Sequence, residues 1–243
     1  MAKPKRNDGR RPNELRPITI TPGFVGSADG SCLIETGGTR VICTASLSPG
    51  VPKWRQGSGL GWLTAEYGML PASTGRRKSR PTSKPDSRGI EIQRLIGRVI
   101  RNVVRFDRLG ENTLHLDCDV LEADGGTRTA SITGAYVAAA IANQRCAALG
   151  RCNPKAITGQ VAAISVGIVA GQALLDLDYS EDSNAEVDMN VAMLSNGQFV
   201  EVQGTAEKAP FTGSQLQEML DLAGKGIRKL AKIQRQAIME GVK

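Results

Sequence analysis

A strand that turns abruptly into a helix is the feature that most constrains how this chain folds. Between Leu114 and Leu121, apolar and polar residues alternate with the period of two expected of a half-buried strand. Gly125 and Gly126 then break the alternation. The residues from Arg128 to Asn143 are rich in alanine and isoleucine and contain no proline, so we expect a helix that starts at the glycine pair and is buried on most sides.

The glycine pair is also a candidate anion site. Glycine allows a ligand to approach the backbone closely, and the first N–H groups of a helix have no internal partner and carry partial positive charge. Thr127 adds a hydroxyl donor, and Arg128 adds a planar guanidinium that suits two oxygens of a phosphate. The alternative is a plain glycine turn, with Thr127 capping the helix and Arg128 in water. The Gly-Lys-Ser/Thr ending of a Walker loop is absent.

The order of the remaining elements indicates the fold class. Short β-like segments separated by glycine-rich turns come first, at Ile18–Phe24, Ser31–Thr36, Arg40–Ser46 and Leu60–Tyr67. A helix at Ile90–Phe106 follows, and beyond the buried helix we expect a hairpin at Gln160–Val169 and Gln172–Tyr179, a loop at 180–184, strands at Ala185–Leu194 and Gln198–Gly204, and a long amphipathic helix from Thr212 or Ser214 to about Met239. Strands first, then strands and helices mixed, favour an α+β fold over a doubly wound one.

Composition narrows the setting of the protein. A hydrophobic fraction of 40% with 23% charged residues is typical of a globular protein, and the net charge of +7 suits a polyanionic partner without requiring one. The segment Met1–Arg10 is basic and has no apolar core, so we interpret it as neither a signal peptide nor an anchor. Five cysteines without a Cys-x-x-Cys pair predict buried thiols in a reducing cytoplasm and argue against zinc.

Arginines concentrate in two further places. The segment Pro71–Asp86 is nearly devoid of apolar residues and reads as a mobile basic loop with Arg76, Arg77 and Arg80. The helix at Ile90–Phe106 carries a basic stripe of Arg94, Arg98, Arg101 and Arg105 opposite its apolar face. The stripe is either a solvated face paired with carboxylates or a surface for RNA or a neighbouring subunit.

A cluster of acidic residues is the second candidate site. Alternation along the strand at Ala185–Leu194 places Glu186, Asp188 and Asn190 on one face. A straight strand would hold Asp182 roughly 20 Å from Asp188, so they meet only if Asp182 lies on a segment that folds back. Such oxygens suit Mg²⁺, and the alternative is a solvated acidic loop. The single histidine, His115, lies mid-strand, which disfavours a Ser-His-Asp triad.

Seven short motifs, in order along nearly the whole chain, resemble those of the ribonuclease PH family. They are Asp8–Arg10, Glu14–Pro17, Gly61–Tyr67, Glu91–Arg98, Ala123–Ala130, Ala185–Val191 and Glu201–Thr205. Each is weak alone, and together they are specific. The chain differs from the usual family sequence at Ser87-Arg88-Gly89, where Gly-Arg-Thr is common, and at Glu122, where glutamine often stands.

This resemblance implies a fold and an assembly. The fold is α+β, with mixed sheets packed against helices in the manner of ribosomal protein S5 domain 2. Residues 1–243 would form one unit, with a basic tail at 1–12, an N-terminal segment at 13–150 that holds the phosphate site, and a C-terminal segment at 151–243 with the acidic strand and the terminal helix. The units would assemble as a homohexameric ring, a trimer of dimers.

The resemblance also implies a reaction. Members of the family are phosphate-dependent 3′ to 5′ exoribonucleases that trim tRNA 3′ ends and release nucleoside diphosphates. The residues that match the phosphate site of the family are Arg88, Gly126, Thr127 and Arg128, and those that match the catalytic and Mg²⁺-binding aspartates are Asp182 and Asp188. For RNA binding we predict Arg76, Arg77, Arg80, Arg94 and Arg98.

Two other functions remain open at this point. A catalytically silent RNA-binding ring subunit would not need Arg88, Arg128, Asp182 and Asp188, all of which are present. A small-molecule phosphate-binding enzyme would not need the basic loop.

Overall fold

The structure is a computed structural model that describes residues 6–80 and 86–242. The strands are β1 (Ile18–Pro22), β2 (Gly30–Thr36), β3 (Thr39–Pro49), β4 (Trp62–Met69), β5 (Asn112–Glu122), β6 (Val161–Val169), β7 (Gln172–Leu175), β8 (Val187–Leu194) and β9 (Phe199–Ala206). The helices are α1 (Ser87–Arg101), α2 (Phe106–Leu109), α3 (Thr127–Ala148), α4 (Tyr179–Asp182) and α5 (Gly213–Gly241), with a 3₁₀ turn at Lys53–Arg55.

The first sheet has the order β1-β2-β3-β5-β4. Its pairs are antiparallel except β4 and β5, which run parallel and are joined by a crossover that contains α1. Along β5, Leu114, Leu116, Cys118 and Val120 are buried, while the residues between them face outward. The predicted alternation is therefore confirmed, and the glycine pair follows the C-terminal end of β5, which lies between β3 and β4.

The second sheet is antiparallel, with the order β7-β6-β8-β9. Helix α3 lies between the two sheets, because it packs on β2, β3 and β5 on one side and on β6 on the other. Its side chains are small enough for this: a Cβ on Gly134 would stand 2.6 Å from the sulfur of Cys43. The amphipathic helix α5 covers the opposite face of the second sheet, where it packs against Ile164, Val166 and Val191. The α+β prediction is confirmed.

Several predicted boundaries differ from the structure, among them those of α1 and β7. Helix α1 spans Ser87–Arg101 instead of the predicted Ile90–Phe106, so Arg88 lies in its first turn. Strand β7 ends at Leu175 and not at Tyr179, because Asp176 turns the backbone with a positive φ of 58°.

The predicted loop at 180–184 instead contains the end of α4. Asp178 caps this short helix through the backbone N–H of Glu181, while the Glu181 side chain accepts from the N–H of Asp178. A capping box of this kind needs the side chains of the N-cap residue and of the third helical residue, here Asp178 and Glu181. It gives Asp182 a defined position at the end of the helix.

The basic N-terminal segment is packed against the C-terminal half from Arg6 onward. Arg6 is 7% exposed, pairs with Glu181 at 2.7 Å and donates to the carbonyl oxygen of Leu175 at 2.9 Å. Residues 1–5 of the predicted tail and 81–85 of the predicted basic loop lie outside the described residues. Residues 71–80 form turns without regular secondary structure.

Four of the five thiols, those of Cys32, Cys43, Cys118 and Cys146, are buried, and Cys152 is partly buried. No helix among the described residues is both long enough and apolar enough to cross a membrane.

Candidate active site

A cavity of about 810 Å³ opens where the start of α3, the start of α1, the loop at 74–78, α4 and β8 meet. It brings together the predicted phosphate residues and the predicted acidic residues, which are far apart in sequence. The residues that line it are Met69, Thr74, Gly75, Arg76, Arg77, Lys78, Arg88, Ala123, Gly125, Gly126, Thr127, Arg128, Ser165, Tyr179, Asp182, Asp188 and Asn190.

The glycine pair starts α3 as the sequence predicts. Gly126 is the N-cap in the left-handed region, with φ of 68°, and Gly125 precedes it with φ of 76°. Both conformations favour glycine. The free N–H groups of the first turn therefore lie at the cavity wall, beside Thr127, whose hydroxyl oxygen accepts from the Tyr67 hydroxyl at 3.0 Å. Burial raises the pKa of Tyr67, which keeps it a neutral donor.

Two guanidinium groups flank this helix start. Arg128 donates to Glu91 at 3.1 Å and to the side-chain oxygen of Gln203 at 3.0 Å, so its position is held from two sides. Arg88 reaches the same cavity from the first turn of α1 and is exposed. Glu122, where the sequence differs from the family, pairs with Arg40 at 3.4 Å and does not line the cavity.

Asp182 and Asp188 face the arginines across the cavity. Because α4 brings the chain back toward the start of β8, both carboxyl groups reach one site, as the predicted folding back requires. Burial, together with the negative charge of Asp182, raises the pKa of Asp188 to about 6, against the opposing effect of Arg128. Burial also raises the pKa of Asp182. The Oδ1 atom of Asp188 is buried and has no hydrogen-bond partner among the described residues.

The five arginines predicted to bind RNA separate into two groups. Arg76 and Arg77 line the cavity and are exposed. Arg80 is exposed outside the cavity wall. Burial and the charge of Asp117 raise the pKa of Asp119, and the charge of Arg80 opposes this rise. The other two lie on α1: Arg94 is exposed, whereas Arg98 makes a two-bond ion pair with Glu201 at 2.8 and 2.9 Å.

The rest of the predicted arginine stripe on α1 is engaged within the protein. Arg101 stacks on Trp62, with 4.3 Å from its guanidinium carbon to the ring centre, and donates to the carbonyl oxygen of Leu63. Arg105 pairs with Asp107. The alternative of a solvated face paired with carboxylates describes Arg105, whereas Arg101 is partly buried and has no carboxylate partner among the described residues.

The sequence analysis did not predict Lys78, Ser165 or Tyr179 as site residues. Ser165 lies opposite Asn190 in the β6–β8 pair, so both side chains point to the α3 side of the sheet. Alternation along β8 predicts that Asn190, the residue opposite Ser165, lies on the same face as Asp188. No sequence signal on β6 marks Ser165, because its neighbours there are small or apolar.

Comparison with known proteins agrees with this architecture. Residues 14–144 match domain 1 of the 3′ exoribonuclease family, and residues 159–226 match domain 2. A protein named ribonuclease PH from Synechococcus sp. (strain CC9605) is 55% identical over 238 residues, which span 97% of this chain and 95% of the relative. The chain belongs to the ribonuclease PH family of 3′ exoribonucleases. The resemblance that the seven motifs indicated is thereby confirmed.

Solved structures support the same fold at low identity. The Archaeoglobus fulgidus exosome with RNA bound to its active site contains a chain with a TM-score of 0.80 and 23% identity, over 94% of this chain and 92% of that one. Rice (Oryza sativa) Rrp46 has a TM-score of 0.78 and 16% identity, over 96% of this chain and 100% of that one. At these identities the likeness concerns the fold.

Membership of the family also confirms the predicted activity. The chain is a phosphorolytic 3′ to 5′ exoribonuclease of tRNA processing, and in chemical terms a phosphate-dependent nucleotidyltransferase.

Proposed function

We propose that the cavity is the active site, that Arg88 and the start of α3 bind inorganic phosphate there, and that Asp182 and Asp188 act on the 3′ end of the RNA. One observation carries this assignment: two guanidiniums and a helix start face two carboxylates across a single cavity. Phosphate binds well at a helix start, and two guanidiniums hold a dianion without exchanging protons at neutral pH. A water nucleophile would need no such clamp.

The chemistry asks the protein mainly to align two anions. A phosphate oxygen forms a bond to the last phosphorus of the RNA, and the bond from that phosphorus to the 3′ oxygen of the preceding nucleotide breaks. The terminal nucleotide leaves as a nucleoside diphosphate, and the 3′ oxygen takes up a proton. Arg88 and Arg128 neutralise and orient the nucleophile. Positioning and charge stabilisation are the main contributions of a protein to the catalysis of phosphoryl transfer.

The acidic pair fits a divalent ion. Oδ1 of Asp188, to which no described residue donates a hydrogen bond, and the carboxylate of Asp182 in the same cavity are oxygen ligands of the kind that Mg²⁺ prefers. Mg²⁺ usually takes one or two such carboxylates together with substrate phosphate and water. The described residues contain no cluster of three or more His, Cys, Asp or Glu side chains that could enclose a metal alone. When bound, Mg²⁺ would offset charge on the transferring group.

The loop arginines extend the site toward a longer substrate. Arg76 and Arg77 lie at the cavity wall, and Arg80 follows at the exposed end of the described loop. We assign these three, with Arg94 and Arg98 on α1, to the RNA backbone. The natural substrates in this proposal are tRNA precursors and other single-stranded RNA 3′ ends.

The assembly and compartment in this proposal are a homohexamer, built as a trimer of dimers, in the cytoplasm. The mainly buried free thiols suit a reducing compartment. Sedimentation equilibrium of the purified protein measures the mass of the assembly and distinguishes six subunits from two.

Product analysis tests the site assignment. A 3′-extended tRNA should release nucleoside diphosphates only when phosphate is present, and Arg128→Ala should raise the KM for phosphate about 100-fold while tRNA binding survives. Arg128→Lys should recover part of this loss, since a point charge cannot reproduce the two-pronged contact. Arg105→Ala, an exposed arginine outside the cavity, is the matched control.

Nucleoside monophosphates released without phosphate would contradict phosphorolysis at this site. An unchanged KM in Arg128→Ala would contradict the phosphate assignment. Binding of tRNA with no product at any phosphate concentration would favour the silent ring subunit instead.

A further inference from the structure

Arg16 and Asp176 form a buried ion pair beneath the cavity. The Arg16 guanidinium donates to one carboxylate oxygen of Asp176 at 2.7 Å, and the Arg16 backbone N–H donates to the other oxygen at 2.8 Å. Arg16 is 5% exposed and Asp176 is 1% exposed. Neither residue lines the cavity. Burying two charges is costly unless their attraction and additional hydrogen bonds offset the lost hydration. Hydrogen bonds of this kind lie on both sides of the pair.

On one side, the pair supports the start of α3. The Arg16 guanidinium donates to the carbonyl oxygens of Asp124 and Gly125. Thr39 reinforces the same peptide, because its hydroxyl donates to Gly125 O at 2.7 Å and accepts from Asp124 N at 2.8 Å. A Cβ on Gly126 would stand 3.1 Å from the Arg16 guanidinium, which therefore lies directly under the glycine pair.

On the other side, the pair supports the segment that leads into α4. Asp176 has φ of 58°, an unfavourable conformation for a residue with a side chain, and Arg10 donates to its carbonyl oxygen at 2.9 Å. The next residues rest on the glycine pair: a Cβ on Gly125 would come 2.7 to 2.8 Å from backbone atoms of Leu177–Tyr179. The chain reaches Asp182 one turn later.

We propose that Arg16 and Asp176 are positioning residues that set the separation between the phosphate seat at the start of α3 and the carboxyl group of Asp182. The charge pair joins the two segments, which lie in the two different matched domains, residues 14–144 and 159–226, and share no strand pairing. This inference rests on the proposed phosphate and aspartate assignments. Phosphoryl transfer depends on alignment, and a misplacement of about 1 Å can lower a rate on the order of 100-fold. The charge of Arg16 also acts on Asp182, where it opposes the rise in pKa that burial causes.

Conservative substitutions test this role in the full-length protein. Arg16→Lys keeps a charge for Asp176 but cannot also reach two carbonyl oxygens, and Asp176→Asn keeps the shape but removes the charge. We expect each to lower kcat by roughly 10- to 100-fold and to raise the KM for phosphate, while the Kd for tRNA changes less than about twofold. Saturating phosphate should not restore the wild-type rate. Arg11→Lys, at an exposed position in the same segment, should behave as wild type.

Thermal unfolding of every variant separates positioning from stability, and kinetics are compared at temperatures where each is folded. If neither ion-pair variant folds, Thr39→Val decides, because it removes only the hydroxyl contacts and should show the same split with a smaller amplitude. Wild-type kcat and phosphate KM in the folded variants, or losses that merely follow the folded fraction, would overturn the positioning role. Arg128→Ala, assayed in parallel, separates the two proposals: if it raises the KM for phosphate and Arg16→Lys has no effect, only the positioning role fails.

Discussion

The arginines of the N-terminal segment and those of the loop at 74–80 have the same charge and opposite surroundings. Arg6 and Arg16 are buried, and carboxylates and backbone carbonyls accept from their donors, except that Nε of Arg16 has no partner among the described residues. Arg76, Arg77 and Arg80 are exposed, and no carboxylate of the described residues lies within 4.0 Å of them. The charges of the first group are paired inside the protein. The charges of the second group are exposed at the surface.

This difference explains how a protein with a moderate net charge of +7 has a concentration of exposed positive charge at the loop. Buried arginines cancel the acids around α4, so they add little to the field that RNA meets. In the proposed function, the loop arginines would release counterions from RNA on binding, which would give an affinity that depends on salt. Removing Arg6 should therefore lower stability, and removing the loop arginines should weaken RNA binding.

The largest expected effect comes from Arg6→Ala. This change removes the nearer of the two arginines that pair with the buried Glu181 and removes donors from four backbone carbonyls. The free energy of unfolding should therefore fall by about 3 to 5 kcal/mol. Urea denaturation measures it, and Arg11→Ala, whose side chain is 81% exposed, should cost less than about 1 kcal/mol. Equal losses in both variants would remove the distinction between buried and exposed arginines.

Replacing Arg76, Arg77 and Arg80 together by alanine should weaken tRNA binding roughly 10- to 100-fold at low salt and flatten its salt dependence. Stability should change by no more than about 0.5 kcal/mol, and the KM for phosphate should stay the same. The matched control replaces three exposed lysines of α5, Lys225, Lys229 and Lys232, by alanine. If the control weakens tRNA binding equally, the loop provides only general attraction.

The acids offer a third comparison, because Glu181 is paired with Arg6, whereas Oδ1 of Asp188 has no hydrogen-bond partner in the described part of the chain. The pKa of Asp188 is raised from 3.8 to about 6, so the folded state loses stability as pH rises through about 6. Without divalent ions, Asp188→Asn should be more stable than wild type by about 1 to 3 kcal/mol at pH 8, with no difference at pH 4. Mg²⁺ should stabilise only the wild type. A constant difference across pH would contradict the raised pKa.

The smallest effect is expected at Arg98, which is about half exposed and paired with Glu201. A double-mutant cycle with alanine at both positions should give a coupling of about 0.2 to 1 kcal/mol that shrinks with salt. The tRNA affinity of Arg98→Ala, measured beside it, tests the predicted RNA contact. A loss of affinity in Arg98→Ala that Glu201→Ala does not share would mean that Arg98 leaves its partner for RNA.

Much of the site followed from local patterns. The strand-to-helix junction at Gly125 and Gly126 was predicted because alternation, glycine and an apolar run are properties of neighbouring residues. The face shared by Asp188 and Asn190 followed from the strand period for the same reason. The motifs around these segments also identified the family and its reaction.

The sequence by itself determined the residue types of the site, the helix start and the fold class, since each depends on short-range periodicity and turn chemistry. Only the tertiary structure decided which charges are available. Arg6 and Arg16 meet acids some 160 to 175 residues away, and α4 carries Asp182 back toward Asp188. No local pattern encodes such pairings. Whether an arginine forms a buried ion pair or stays exposed depends on which distant carboxylates the folded chain brings to it.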